Sequence, residues 1–136
     1  MQWFAAHVIT YIECVDGEQS NYPVEEAVVL ICAQSSRSAW TRAEKYGKGL
    51  EESLKEQGLT WGERPARMVY AGVRRLMSIN ELESEGRCRK VGNFRNGQEI
   101  THFVFTVSAR EEIERLVNNE SVLLTYESGY GNTAPD

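Results

Sequence analysis

The chain of 136 residues carries 15 Lys/Arg against 20 Asp/Glu, a formal net charge of -5, with 41% hydrophobic and 26% charged residues. This length and composition fit one globular domain with one core and leave no room for a second. The acidic balance argues against a general nucleic-acid binder, which draws on phosphate neutralisation by Lys and Arg.

No apolar run approaches the roughly 20 residues that span a bilayer. The start Met1-Gln2-Trp3-Phe4 lacks the basic region of a signal peptide, so a cytoplasmic location is expected, with no membrane partner.

In chain order, Phe4, Ala6, Val8, Ile12 and Cys14 recur with period two, which predicts a long strand over Trp3–Cys14. Asp16-Gly17 through Asn21 supplies turn chemistry, and Val24–Ala33 is a second strand, so the two form a hairpin. With the turn centred near residue 19, Cys14 lies opposite about residue 24 and Cys32 opposite about residue 6.

Ser35 and Ser36 are good N-caps for an amphipathic helix. Ala39, Trp40, Ala43, Tyr46, Gly47, Leu50 and Leu54 form its stripe, and it ends near Gly58. Gly62–Pro65 breaks the pattern and Ala66–Ile79 resumes β character. Strand, helix, strand implies a crossover, so the strands at Val24–Ala33 and Ala66–Ile79 are expected to run parallel in a mixed sheet.

An acidic loop is expected over Asn80–Gly86. Two strands, Arg87–Phe94 and Gln98–Val107, then flank the Asn96-Gly97 turn as a second hairpin. Ser108-Ala109-Arg110-Glu111 reads as a capping box for a short helix with Ile113, Leu116 and Val117 buried, ended by Asn118-Asn119. Ser121–Tyr126 is a last strand. The expected fold is α+β: a single mixed sheet of about five or six strands, in the order β-β-α-β-β-β-α-β, with one long and one short helix. One domain covers 1–127, with a flexible tail over 128–136.

Several segments together resemble a known family. Trp3-Phe4-Ala5-Ala6, Ala33-Gln34-Ser35-Ser36-Arg37-Ser38-Ala39-Trp40, Ala43-Glu44-Lys45-Tyr46-Gly47-Lys48, Tyr70-Ala71-Gly72-Val73-Arg74-Arg75-Leu76 and Asn96-Gly97-Gln98-Glu99-Ile100 with Phe103 carry the likeness. The chain resembles the bacterial domain of unknown function family 4288 over roughly residues 1 to 107. The resemblance implies no activity and no functional residue.

No catalytic, cofactor or metal constellation is expected. Cys14, Cys32 and Cys88 lack zinc or redox spacing and read as buried or incidental thiols. His7 and His102 each sit on a strand among apolar residues. Glu99 and His102, three apart in a strand, fall on opposite faces by alternation. Glu25-Glu26 splits across two faces, and Glu81, Glu83 and Glu85 lack the spacing of a calcium loop. Gly47-Lys48-Gly49 lies inside the helix, where a phosphate loop cannot form.

Charge is unevenly spread: Arg64 to Arg95 holds 8 Lys/Arg against 3 Glu, leaving 7 against 17 elsewhere. Within that stretch Arg74, Arg75, Arg87, Arg89, Lys90, Phe94 and Arg95 are the candidate ligand- or partner-binding residues, because planar guanidinium forks grip phosphates and carboxylates.

The first functional reading is a small non-enzymatic interaction protein with a protein partner, basic in character, of the immunity or defence and anti-defence type. The second is a binding module for a small anionic ligand or nucleic acid through the Arg74–Arg95 segment. An enzyme is a third reading, which a deep polar pocket enclosing His7 or His102 would favour. Homodimer formation is expected from the aromatic surface of Trp3, Trp40, Trp61 and Tyr11.

Overall fold

A computed structural model describes residues 1–79 and 95–126. The alternating N-terminal segments form β1 (Gln2–Cys14) and β2 (Tyr22–Ala33), paired antiparallel from Gln2 opposite Ala33 to Tyr11 opposite Val24. Cys32 therefore faces Trp3 rather than residue 6. The turn is set earlier than residue 19 because Gln19 closes it: its Oε1 accepts from Cys14 N–H at 2.7 Å, and its Nε2 donates to Ile12 and Asn21 carbonyls at 3.1 Å each. Cys14 and Cys32 still end up at opposite ends of the hairpin, each a free thiol.

Ser35 caps α1 (Ser36–Leu54) in a capping box with Ser38, each side chain meeting the other's backbone N–H. The buried stripe is narrow and small: Ala39, Ala43 and Gly47, spaced by four. Small residues let α1 sit close on the sheet, where it packs against β1, β2 and the later strand Arg64–Ser78.

Two strands follow, β3 (Thr60–Trp61) and β4 (Arg64–Ser78), joined by a tight turn in which Gly62 adopts φ 67°. Glycine at the first turn position suits a two-residue hairpin. The expected break at Gly62–Pro65 is thus a hairpin turn, with Pro65 opposite Thr60 near the start of β4.

After β5 (Glu99–Val107) comes α2 (Arg110–Val117), then β6 (Thr125–Tyr126). The capping box expected between Ser108 and Glu111 shifts by one residue. Ala109 is the N-cap without a side-chain bond, and Glu112 reaches back to accept from Ser108 N–H at 3.1 Å and Oγ at 3.0 Å. Asn119 ends α2 in the left-handed region, φ 64°, so that Glu120 N–H meets the Arg115 carbonyl at 2.8 Å.

The sheet order is β3-β4-β1-β2-β5-β6 and every pair is antiparallel. The expected mixed sheet is corrected here. β2 and β4 do run the same way, but β1 lies between them and pairs with both, so the crossover through α1 skips a strand and creates no parallel ladder. The fold is α+β. Its element string matches the expected one with different members, since β3 was unforeseen and the expected strand at 87–94 lies outside the described residues, as do the acidic loop and the tail.

Two cores sandwich the sheet. On the α1 face lie Phe4, Ala6, Val8, Val29, Ile31 and Val73 with Ala39 and Ala43. On the α2 face Ile9, Val24, Phe105, Val107, Ile113 and Leu116 pack together. Full burial of such side chains contributes about 1.5–3 kcal/mol each.

Candidate functional site

Three β-bulges decide where the polar side chains go. On β4 the register with β1 slips twice, leaving Ala71 and Arg74 as extra residues, and on β5 it slips once against β2, leaving Ile100 extra. A bulge bends the strand and re-aims its side chains.

The Arg74 bulge turns its guanidinium onto the α2 face. There Nε and Nη2 donate to Glu26 Oε2 at 3.2 and 3.0 Å, and Nη1 donates to Asn119 Oδ1 at 2.9 Å. His7 Nδ1 meets the same Glu26 oxygen at 2.6 Å. Glu26 is 5% exposed, so a buried carboxylate is held between the imidazole of His7 on β1, the adjacent strand, and the guanidinium of Arg74 on β4, one strand further on.

Beside this network, at the outer edge of β4, lies an open cleft of about 440 Å³. Trp40 and Glu44 of α1 form one wall, Val117 and Asn119 at the end of α2 the other, and the bulged run Tyr70–Arg74 the floor. β3 pairs only with Arg64 and Pro65, so the rest of this edge has no strand beside it among the described residues. Tyr70 N–H, turned away from β1, donates to Glu51 Oε1 of α1 at 2.8 Å. Burial first, and then the Glu44 carboxylate, push the Tyr70 phenol up to about 12. Glu44 makes no ion pair among the described residues and gives the cleft negative character.

Of the residues expected to bind, Arg74 is occupied by Glu26 and Asn119, while Arg75 and Arg95 are exposed. Arg87, Arg89, Lys90 and Phe94 lie outside the described residues. On the α1 face, the Ile100 bulge overturns the expected separation of Glu99 and His102: Glu99 pairs with Val29 and His102 with Ala27, both α1-facing, and His102 Nδ1 is 2.7 Å from Glu99 Oε2. Glu25 joins them, with one ligand atom from each of the three within 4.8 Å of the others.

Sequence reading missed the cleft and both clusters. The signal for the cleft was Trp40 and Glu44, one turn apart on α1, beside a long strand with glycine at its centre. The His7–Glu26 pairing needs the true hairpin register, which places Val28 opposite His7 and Glu26 two residues along on the same face.

Among the described residues, no helix is long and apolar enough to cross a membrane. No curated protein and no solved structure matches this chain. A family model matches residues 3–87, which holds every quoted likeness except that at Asn96–Phe103. The chain belongs to the family described as Domain of unknown function (DUF4288).

Proposed function

We propose that the chain is a cytoplasmic interaction protein, non-enzymatic in role, that receives an extended basic segment of a protein partner along the outer edge of β4. The observation that carries this reading is the cleft itself, which sets a strand edge with no neighbouring strand among the described residues between Trp40 and Glu44 on one side and the end of α2 on the other. An extended segment adds to such an edge through main-chain hydrogen bonds and gains specificity from alternate side chains.

The charge of the cleft supports a cationic side chain in the incoming segment. Glu44 offers a carboxylate, and Trp40, 37% exposed one turn earlier, offers an aromatic face on which a guanidinium or ammonium can rest. The net charge of -5 steers such a partner toward the chain. An immunity or defence pair is a setting in which a compact acidic chain meets a basic partner of this kind.

The test combines capture from the host extract with hydrogen exchange on the captured complex. Expected is a partner lost with Trp40→Ala or Glu44→Lys, together with slowed exchange of the Tyr70–Arg74 amides on binding. Capture that survives both substitutions, or protection that falls elsewhere, overturns the reading.

A further inference from the structure

We propose that Glu25, Glu99 and His102 form a binding site for a divalent transition-metal ion of the Zn²⁺ class, separate from the β4 cleft. Glu25 comes from β2, Glu99 and His102 from β5, and the three donor groups share the α1 face. The donor atoms lie within 4.8 Å of one another. An ion bound at about 2.0–2.2 Å from nitrogen and oxygen donors needs them closer than that. Rotation of the two glutamates closes the difference with the strands left in place, because each carboxylate is carried on a long side chain.

The type of donor selects the class of ion. One imidazole with two carboxylates suits Zn²⁺, Mn²⁺ or Fe²⁺, whereas Ca²⁺ and Mg²⁺ take oxygen ligands throughout. Three protein ligands leave at least one coordination position for water or a further donor.

The setting is built rather than incidental on two counts. The Ile100 bulge is what returns Glu99 to the face of His102, so the ladder gives up its regular pairing at the position that completes the triad. Glu25 is also half-buried, so the site is partly sheltered from solvent.

Co²⁺ serves as the probe, titrated into the full chain after chelator treatment and followed by its visible absorption, with Zn²⁺ as competitor. One Co²⁺ per chain is expected, displaced by Zn²⁺. His102→Ala and Glu99→Gln should each weaken binding at least about tenfold, the size that even an outer-shell partner carries. Glu25→Gln, which keeps the side-chain shape, should do the same with the far-ultraviolet circular dichroism unchanged. His7→Gln, which alters an imidazole on the opposite face, should leave binding intact. No Co²⁺ spectrum at millimolar concentration, equal affinity in the His102 and Glu25 variants, or loss of binding in His7→Gln would each overturn the site.

Discussion

The ring of Tyr70 occupies the space where position 47 of α1 would carry a side chain: a Cβ there would lie 2.3 Å from Tyr70 Cδ1 and Cε1. The closeness of α1 to the sheet rests on this pair. Replacing glycine by alanine inside a helix ordinarily stabilises by about 0.8–1 kcal/mol. At Gly47 the clash with a packed ring offsets this gain, and Gly47→Ala should cost up to about 2 kcal/mol net, since overpacking costs about 1–3. Gly49→Ala, two residues on and with nothing within 4 Å, is the control and should stabilise. Urea denaturation of both variants reads the contrast, and equal shifts would refute the packing account.

Gly72 carries a double constraint. Its φ is 153° and a Cβ there would lie 2.6 Å from Val117 Cγ1. Gly72→Ala should therefore destabilise by about 2–4 kcal/mol, from strain and overpacking together. Combining it with Val117→Ala removes the clash and leaves the strain. The double variant should then fall short of Val117→Ala alone by about 1 kcal/mol or more. Full recovery in the double variant would mean that the backbone at 72 tolerates alanine.

The Tyr70 phenol gives a window in alkaline solution. Its proton is held up to about 12 against an ordinary value of 10.0, through burial first and Glu44 second. The folded state therefore keeps a proton that the unfolded chain releases. Tyr70's contribution to stability is complete below pH 10.0 and is lost as pH rises from there through about 12. Tyr70→Phe should flatten the fall in denaturation midpoint over that range, and tyrosinate absorbance should lose its latest-titrating component. Glu44→Gln should bring that component down only part of the way, because burial is the larger cause.

How much of this was legible in the sequence differs by kind of feature. Ser35 as a cap, the spacing of Ala39, Ala43 and Gly47, and Asn118-Asn119 as a stop are local signals, and α1 and α2 follow from them. The hairpin of β1 and β2 was legible as a pair but not in register, because Gln19 ties the turn through three side-chain bonds that no turn composition announces. The neighbours of β4 were hidden because a crossover fixes direction and leaves open whether a strand already lies between. Counting by twos also fails at a bulge, and the three bulges lie at the positions that matter: Ala71 and Arg74 by the cleft and Ile100 beside the Glu25 cluster. Residue 100 alone turns Glu99 and His102 from an apparent split into neighbours.

Two buried carboxylates tie the layers together, and their different surroundings predict different costs of removal. Glu13, opposite Arg67, accepts from Arg67 Nη2 at 2.6 Å and from Nε at 2.9 Å through Oε1, while its Oε2 pairs with Arg110 at the start of α2. Its two cationic partners are 64% and 51% exposed, so water replaces the lost carboxylate when Glu13 is changed. Glu13→Gln should cost about 1.5–2 kcal/mol, at the low end of the range of a charged hydrogen bond. Glu26 differs because its partners are themselves sheltered, Arg74 at 22% and His7 at 15%. Glu26→Gln leaves a guanidinium partly desolvated without its counter-charge, and should cost more, about 3 kcal/mol. The neutral amide oxygen that replaces the carboxylate holds the guanidinium more weakly, so Asn119→Ala should add to the loss in the Glu26→Gln background by more than it costs alone. Denaturation of the single and double variants measures both the ranking and the coupling. Equal costs at positions 13 and 26 would show that exposure of the partner does not set the energy of these pairs.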